Sequence, residues 1–177
     1  MFKTIAGFVR KTKKIDKRYA DTFQSKQDDK QTYLEELVKH GEWEASKNKL
    51  EDALKTFDYV IKEDPNNDIA YGDKALILEK MGRLDDSLEL SSKALEINPK
   101  NTVVWHNRGL TLVKKKLYDD AIICFDKAIS LEENYAKAWY NKGRCLEIQE
   151  KPENAQECLT KARKLDPFLF SKIKFRS

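Results

Sequence analysis

TVVWHNRGLTLVKKKLYDDAIICFDKAISLEENY, residues 102–135, decides how this chain is read, because its pattern recurs on both sides at a spacing of 34 residues. Trp105, Gly109, Leu112, Ala121, Phe125 and Ala128 fall over Trp139, Gly143, Leu146, Ala155, Leu159 and Ala162 one period later. One period earlier stand Tyr71, Ala75, Leu78, Ser87, Ser91 and Ala94; two periods earlier stand Leu37, Gly41, Glu44, Ala53, Phe57 and Val60. Repetition at this length marks an all-α solenoid of stacked helix pairs, each too small to bury its apolar stripe alone. Four units follow from the phase: 34–67, 68–101, 102–135 and 136–169.

Within each unit the pattern predicts a first helix, a short turn and a second helix. The turns contain Asn48-Lys49, Gly82-Arg83, Lys116-Leu117 and Lys151-Pro152. Acidic residues open the second helices: Glu51 and Asp52, Asp85 and Asp86, Asp119 and Asp120, then Glu153. Negative charge there offsets the positive end of the helix dipole, so the boundaries have a physical cause. Pro65, Pro99 and Pro167 close the first, second and fourth units, since proline cannot continue the preceding helix. Glu133 takes that place in the third, which predicts a more nearly helical junction there.

The net charge of +4 conceals an asymmetry. Residues 1–20 hold +6 and residues 161–177 hold +5, leaving −7 for 21–160, so basic ends flank an acidic body. An even basic face for nucleic acid is not what this describes. Cys124, Cys145 and Cys158 are odd in number and lack CxxC spacing; on apolar stripes they read as buried reduced thiols in a reducing compartment. No apolar run approaches the ~18 residues that span a bilayer, and residues 1–9 do not form a signal peptide. The expectation is a soluble cytoplasmic protein.

The series from Trp105 to Ala128, and its copy ending at Pro167, resembles the tetratricopeptide repeat over residues 34–169. That resemblance implies a right-handed superhelix and a non-enzymatic protein–protein interaction scaffold. Small residues at Gly41, Ala75, Gly109 and Gly143 would let the paired helix approach, meeting Ala53, Ser87, Ala121 and Ala155. Trp105 and Trp139 would fill the gap between units, and truncating either, if fully buried, would cost about 3–5 kcal/mol. Departures are Glu44 in an apolar slot, for which Trp43 is the compensating neighbour, and Ser87 and Ser91, which underpack the second unit. His40, Lys74, Arg108 and Lys142 replace a common Leu. Units one and two are expected to be softer than three and four.

The resemblance further implies that the first helices line a concave groove receiving an extended peptide or a helix of a partner protein. Carried onto this chain, the wall holds Val38, Lys39, Glu42 and Ala45 from the first unit, and Ile69, Asp73, Leu76 and Lys80 from the second. The third supplies Val103, His106, Asn107, Leu110, Val113 and Lys114; the fourth supplies Lys137, Tyr140, Asn141, Arg144 and Ile148. Asn107 and Asn141 would each offer a donor and an acceptor to a bound backbone. Arg144 with Lys137 would meet an acidic side chain or a terminal carboxylate. A chaperone-tail clamp, which needs a set of Lys, Asn and Arg from three successive units, is rejected: its slots hold Gly72, Leu76, Asn107, Lys137 and Asn141, and only two of the five match. RNA-reading repeats have a 35-residue period and a basic groove, neither of which is present.

No catalytic, cofactor or metal constellation is legible. His40 and His106 lie two units apart without a Cys or carboxylate at ligand spacing, and no Gly-rich phosphate loop occurs. His106 reads as a groove side chain.

Both ends leave alternatives open. Residues 1–30 read as a basic amphipathic helix and hinge, with Phe2, Ile5, Phe8 or Val9, Ile15 and Tyr19 at near-helical spacing. It caps the first repeat, lies on an acidic membrane, or docks on an acidic partner, the repeats then acting as a spacer. Residues 170–177 begin a fifth unit in phase but stop short. With Phe168, Leu169, Phe170, Ile173 and Phe175 this segment either folds back as a cap or presents an apolar patch for self-association.

Overall fold

Helix boundaries follow the period of the sequence. The computed structural model describes residues 30–169, and among them are eight helices and no strand. They are α1 (Lys30–Ser46), α2 (Leu50–Glu63), α3 (Asp68–Lys80), α4 (Leu84–Ile97), α5 (Thr102–Lys114), α6 (Tyr118–Leu131), α7 (Ala136–Ile148) and α8 (Pro152–Leu165). The architecture is an all-α solenoid. The expected helix and hinge of residues 1–30, apart from Lys30, and the segment 170–177 lie outside the described residues.

The termini show why these residues form these helices. Asn67 caps α3 by accepting from the Ala70 N–H at 2.9 Å, and Asn101 caps α5 from Val104 at 3.1 Å. None of α2, α4, α6 and α8 has a side-chain N-cap, and each carries a carboxylate in its first turn instead. The turn inside each unit is closed by a residue with left-handed backbone: Asn48 (φ 59°), Gly82 (φ 79°), Lys116 (φ 62°) and Glu150 (φ 58°). The next N–H then reaches back five residues, from Lys49 to Glu44, Arg83 to Leu78, Leu117 to Leu112 and Lys151 to Leu146, at 2.8–3.0 Å.

The junction after the third unit is not more helical than the others. α6 stops at Leu131 and α7 starts at Ala136, with the same four-residue link as at 64–67 and 98–101. One backbone bond holds all three: Asn67 N–H to Asp64 O, Asn101 to Asn98, and Tyr135 to Glu132, at 3.0–3.2 Å. The turn therefore does not need proline. Leu169 makes the same bond to Asp166, so the turn recurs after the fourth unit.

Each first helix packs on its own second helix, and each second helix packs on the first helix of the next unit. First helices also touch one another, α1 with α3, α3 with α5 and α5 with α7, whereas the second helices share no comparable contact. A stack closer on one side than the other curves toward that side, so the first helices line the inner wall. The core is a ribbon rather than a centre: Trp105 packs against both the cluster around Ala94 and Val104 and that around Leu112 and Phe125.

The close approach inside a unit is set by one pairing. A Cβ added at Gly41 would sit 2.7 Å from the Phe57 ring, at Gly109 2.5 Å from Phe125, and at Gly143 2.9 Å from Leu159. The glycines thus make room for the large residue of the second helix, and at Gly143 the added Cβ would also lie 3.2 Å from the carbonyl oxygen of the expected alanine, Ala155. In the second unit the same two positions hold Ala75 and Ser91, so a larger first residue accompanies a smaller second one. Ser91 is therefore not simply underpacked. Both Trp105 and Trp139 are only part-buried, and each indole N–H donates to a backbone oxygen six residues back, Pro99 at 2.9 Å and Glu133 at 2.8 Å. The condition for the large truncation cost is not met.

Candidate functional site

On the inner wall Ile69 and Val103 occupy equivalent places on α3 and α5, and each keeps about half its surface exposed, 50% and 55%. Leu76, Leu110 and Val113 are half-buried beside them. The middle of the wall is therefore aliphatic. Both ends are charged: Glu35 and Glu42 on α1, and Lys137 and Arg144 on α7, are exposed.

Several expected groove residues are occupied within the chain. His106 is 5% exposed, its ring against Phe125 (centroids 5.8 Å) and edge-on to Tyr135 (5.1 Å). It lies beneath the wall rather than on it. Asn141 Nδ2 stands 2.9 Å from His106 Nε2, and His106 Nδ1 stands 3.3 Å from Asn107 Oδ1. A neutral imidazole carrying its proton on Nδ1 satisfies both contacts, accepting from Asn141 and donating to Asn107. Burial, with Lys137 adding to it, holds the imidazole down at about 4 against the hydrogen bond to Asn107. The two amides thus spend one group each on His106, leaving the Asn107 Nδ2 donor and the Asn141 Oδ1 acceptor outside this network. Arg144 pairs with Glu147 one turn on in the same helix. Lys137 is exposed and Tyr140 half-buried.

Asp73 has an environment its sequence position does not disclose. Its Oδ2 is buried without a hydrogen-bond partner among the described residues. Burial first, and then the nearby Glu42 carboxylate, push its pKa up to about 7, with Lys80 opposing. Further along α3, Lys114 Nζ reaches Glu79 Oε1 at 2.6 Å, tying α5 to α3 across the wall.

The ties between units were hidden in the slots that depart from the repeat pattern. Lys74 pairs with Asp58, Arg108 donates to Ser92 Oγ at 2.8 Å, and Lys142 to Asp126 at 2.6 Å; each partner lies 16 residues back on the preceding second helix. Arg108 also donates to Leu88 O at 2.7 Å and Ser91 Oγ at 3.0 Å. Three of the four polar residues replacing Leu are thus inter-unit bolts, to positions 58, 92 and 126 at one spacing, while His40 lies beside Glu44 in its own helix. Glu44 is likewise satisfied: it is 5% exposed and accepts from Thr56 at 2.8 Å, with His40 Nδ1 at 3.5 Å. Trp43 does not fill that space; it is 47% exposed with Lys49 Nζ 4.7 Å above its ring.

Outside the groove, an open recess of about 390 Å³ lies between Trp139 and the outer side of α8, bordered by Glu133, Gln156, Lys161 and Lys164. Phe168 is 72% exposed and Leu169 half-buried, while Phe170, Ile173 and Phe175 lie outside the described residues. All three cysteines are buried and free, and burial raises each thiol, Cys145 to about 11. Among the described residues no group of His, Cys, Asp and Glu is placed to hold a metal, and no helix is long and apolar enough to cross a membrane.

Helix pairs stacked in register, with one row of side chains from each unit on a shared inner face, define an all-α repeat scaffold. One tetratricopeptide-repeat family model matches residues 103–135 and 136–169, and a second matches 45–110; the chain belongs to the tetratricopeptide repeat family. The crystal structure of MamA is 22% identical with a TM-score of 0.66, over 72% of this chain and 74% of that one. MamA from Desulfovibrio magneticus RS-1 is 22% identical with a TM-score of 0.67, over 76% of each chain. Pseudomonas aeruginosa pilF is 21% identical with a TM-score of 0.72, over 76% of this chain and 61% of that one. At such identities these likenesses speak for the fold alone. No curated protein sequence matches the chain.

Proposed function

We propose that this chain is a non-enzymatic scaffold that holds a peptide or helix of a partner protein against the wall formed by α1, α3, α5 and α7. Tetratricopeptide arrays are protein-interaction scaffolds as a class, and the supporting observation here is the aliphatic strip on α3 and α5. Ile69 and Val103 stay half-exposed beside Leu76, Leu110 and Val113, although the same helices bury Ala70, Val104, Leu78 and Leu112 in the core. Exposed aliphatics gathered on one concave face mark an interaction site. Burying them is worth roughly 1.5–3 kcal/mol for each side chain that becomes fully covered.

Asn107, Asn141, Lys137 and Arg144 contribute direction rather than the main affinity in this reading, since His106 and Glu147 engage three of them. Paired Leu76→Asp and Leu110→Asp substitutions should abolish partner capture with an unchanged far-UV circular dichroism spectrum. Capture that survives both would move the site off the inner wall.

A further inference from the structure

The two rows that run along the wall carry the same order of chemistry. One row is Glu35, Ile69, Val103 and Lys137; the other, two helical turns away, is Glu42, Leu76, Leu110 and Arg144. Each reads acid, aliphatic, aliphatic, base from the first unit to the fourth. All four charged members are exposed. The remaining wall residues deepen the polarity. Over α1 and α3 the carboxylates of Glu35, Glu42, Asp73 and Glu79 stand against Lys39 and Lys80; over α5 and α7, Lys114, Lys137 and Arg144 stand against Glu147. A charge pair that crosses between these halves, Glu79 with Lys114 at 2.6 Å, runs in the same sense.

We infer that the groove is polarised, and that its occupant is a polypeptide segment with an apolar middle, a cationic end lying over α1 and α3, and an anionic end lying over α7. This rests on the groove reading above and adds the charge order of the ligand. At the acidic end the Asp73 Oδ2 is buried without a hydrogen-bond partner among the described residues, and Glu42 lies close enough to disfavour its ionisation. Lys80 acts on Asp73 from a distance but makes no hydrogen bond to Oδ2, a bond that an arriving ammonium or guanidinium group supplies. At the basic end burial, with Lys137 adding to it, keeps His106 neutral, so the positive charge there is that of Lys137 and Arg144. Packed helices lie roughly 8–10 Å apart, so the wall from α1 to α7 is on the order of 30 Å long. About nine extended residues at roughly 3.3 Å each, or about twenty helical ones, cover it. Complementary charge at the two ends fixes direction and excludes uniformly charged segments more than it adds affinity.

The test is a selection of displayed random 20-residue peptides on the full chain, counter-selected on the Leu76→Asp, Leu110→Asp variant. Selected peptides should carry cations at one end and anions at the other of an apolar middle, and versions with either end's charge reversed should bind about tenfold more weakly. A photo-crosslinker at the cationic end should mark α1 or α3. In the variant Glu35→Lys, Glu42→Lys, Lys137→Glu, Arg144→Glu, with Glu147→Lys to keep the pair on α7, binding should persist within a few-fold while that crosslink moves to α7. Selected peptides of uniform charge, or a crosslink unmoved by the exchange, would overturn the polarity and leave the groove standing. Recovery of no peptide that distinguishes the chain from its Leu76→Asp, Leu110→Asp variant would overturn both.

Discussion

His106 shows how one side chain can look functional in sequence and be structural in the fold. Its ring is buried between Phe125 and Tyr135, and its two nitrogens are matched by Asn107 and Asn141 only while it is neutral. The unfolded imidazole takes up its proton near 6.5 and the folded one near 4, so between these values the unfolded state binds more protons. Stability should therefore fall as pH is lowered through that window. Thermal melts from pH 7 to 4.5 should show wild type losing more than His106→Gln, which removes the titrating ring; parallel losses would refute the assignment.

At the scale of the element, turn chemistry and close approach give two sharp expectations. Asn48, Gly82, Lys116 and Glu150 occupy one left-handed turn position, and only the second unit places glycine there. A side chain in that conformation costs about 1 kcal/mol, so Lys116→Gly should raise stability by roughly 0.5–1 kcal/mol in urea melts. The opposite holds inside α5, where a Cβ at position 109 meets the Phe125 ring at 2.5 Å. Gly109→Ala should destabilise by about 1–3 kcal/mol, because a buried aromatic ring has little room to retreat. If Gly109→Ala melted like wild type, α5 and α6 would not be packed this closely.

For the whole molecule, stability is set by nearest-neighbour interfaces, as in any stacked array. The α4–α5 boundary differs from its neighbours in using a guanidinium with three acceptors, Leu88 O, Ser91 and Ser92, instead of an exposed ion pair. Arg108→Ala should cost about 2 kcal/mol, given the worth of hydrogen bonds to a charged donor. It should also broaden the urea transition as the first two units uncouple from the last two. Lys74→Ala, which removes an exposed ion pair with Asp58, should cost under about 1 kcal/mol. The second unit, expected to be soft from its two serines, is thus reinforced by its neighbour.

The phase of Trp, Gly, Ala and Phe in the sequence was enough to determine an all-α stack, because it depends on local periodicity and on side-chain size; which helices face inward was implied only by the resemblance to tetratricopeptide repeats. The sequence also located the starts of the second helices, where a carboxylate meets the helix dipole whatever the surroundings. What the sequence could not disclose is how polar groups are spent, since a hydrogen bond joins residues that meet only after the units stack. Arg108 reads as a departure from pattern until Ser91 and Ser92 lie against it. Asn107 and Asn141 read as ligand-facing amides until His106 is found between them. Asp73 is an ordinary surface acid until burial and Glu42 raise its pKa. Tertiary structure alone decides such cases, because desolvation and pairing depend on distance in space and not along the chain.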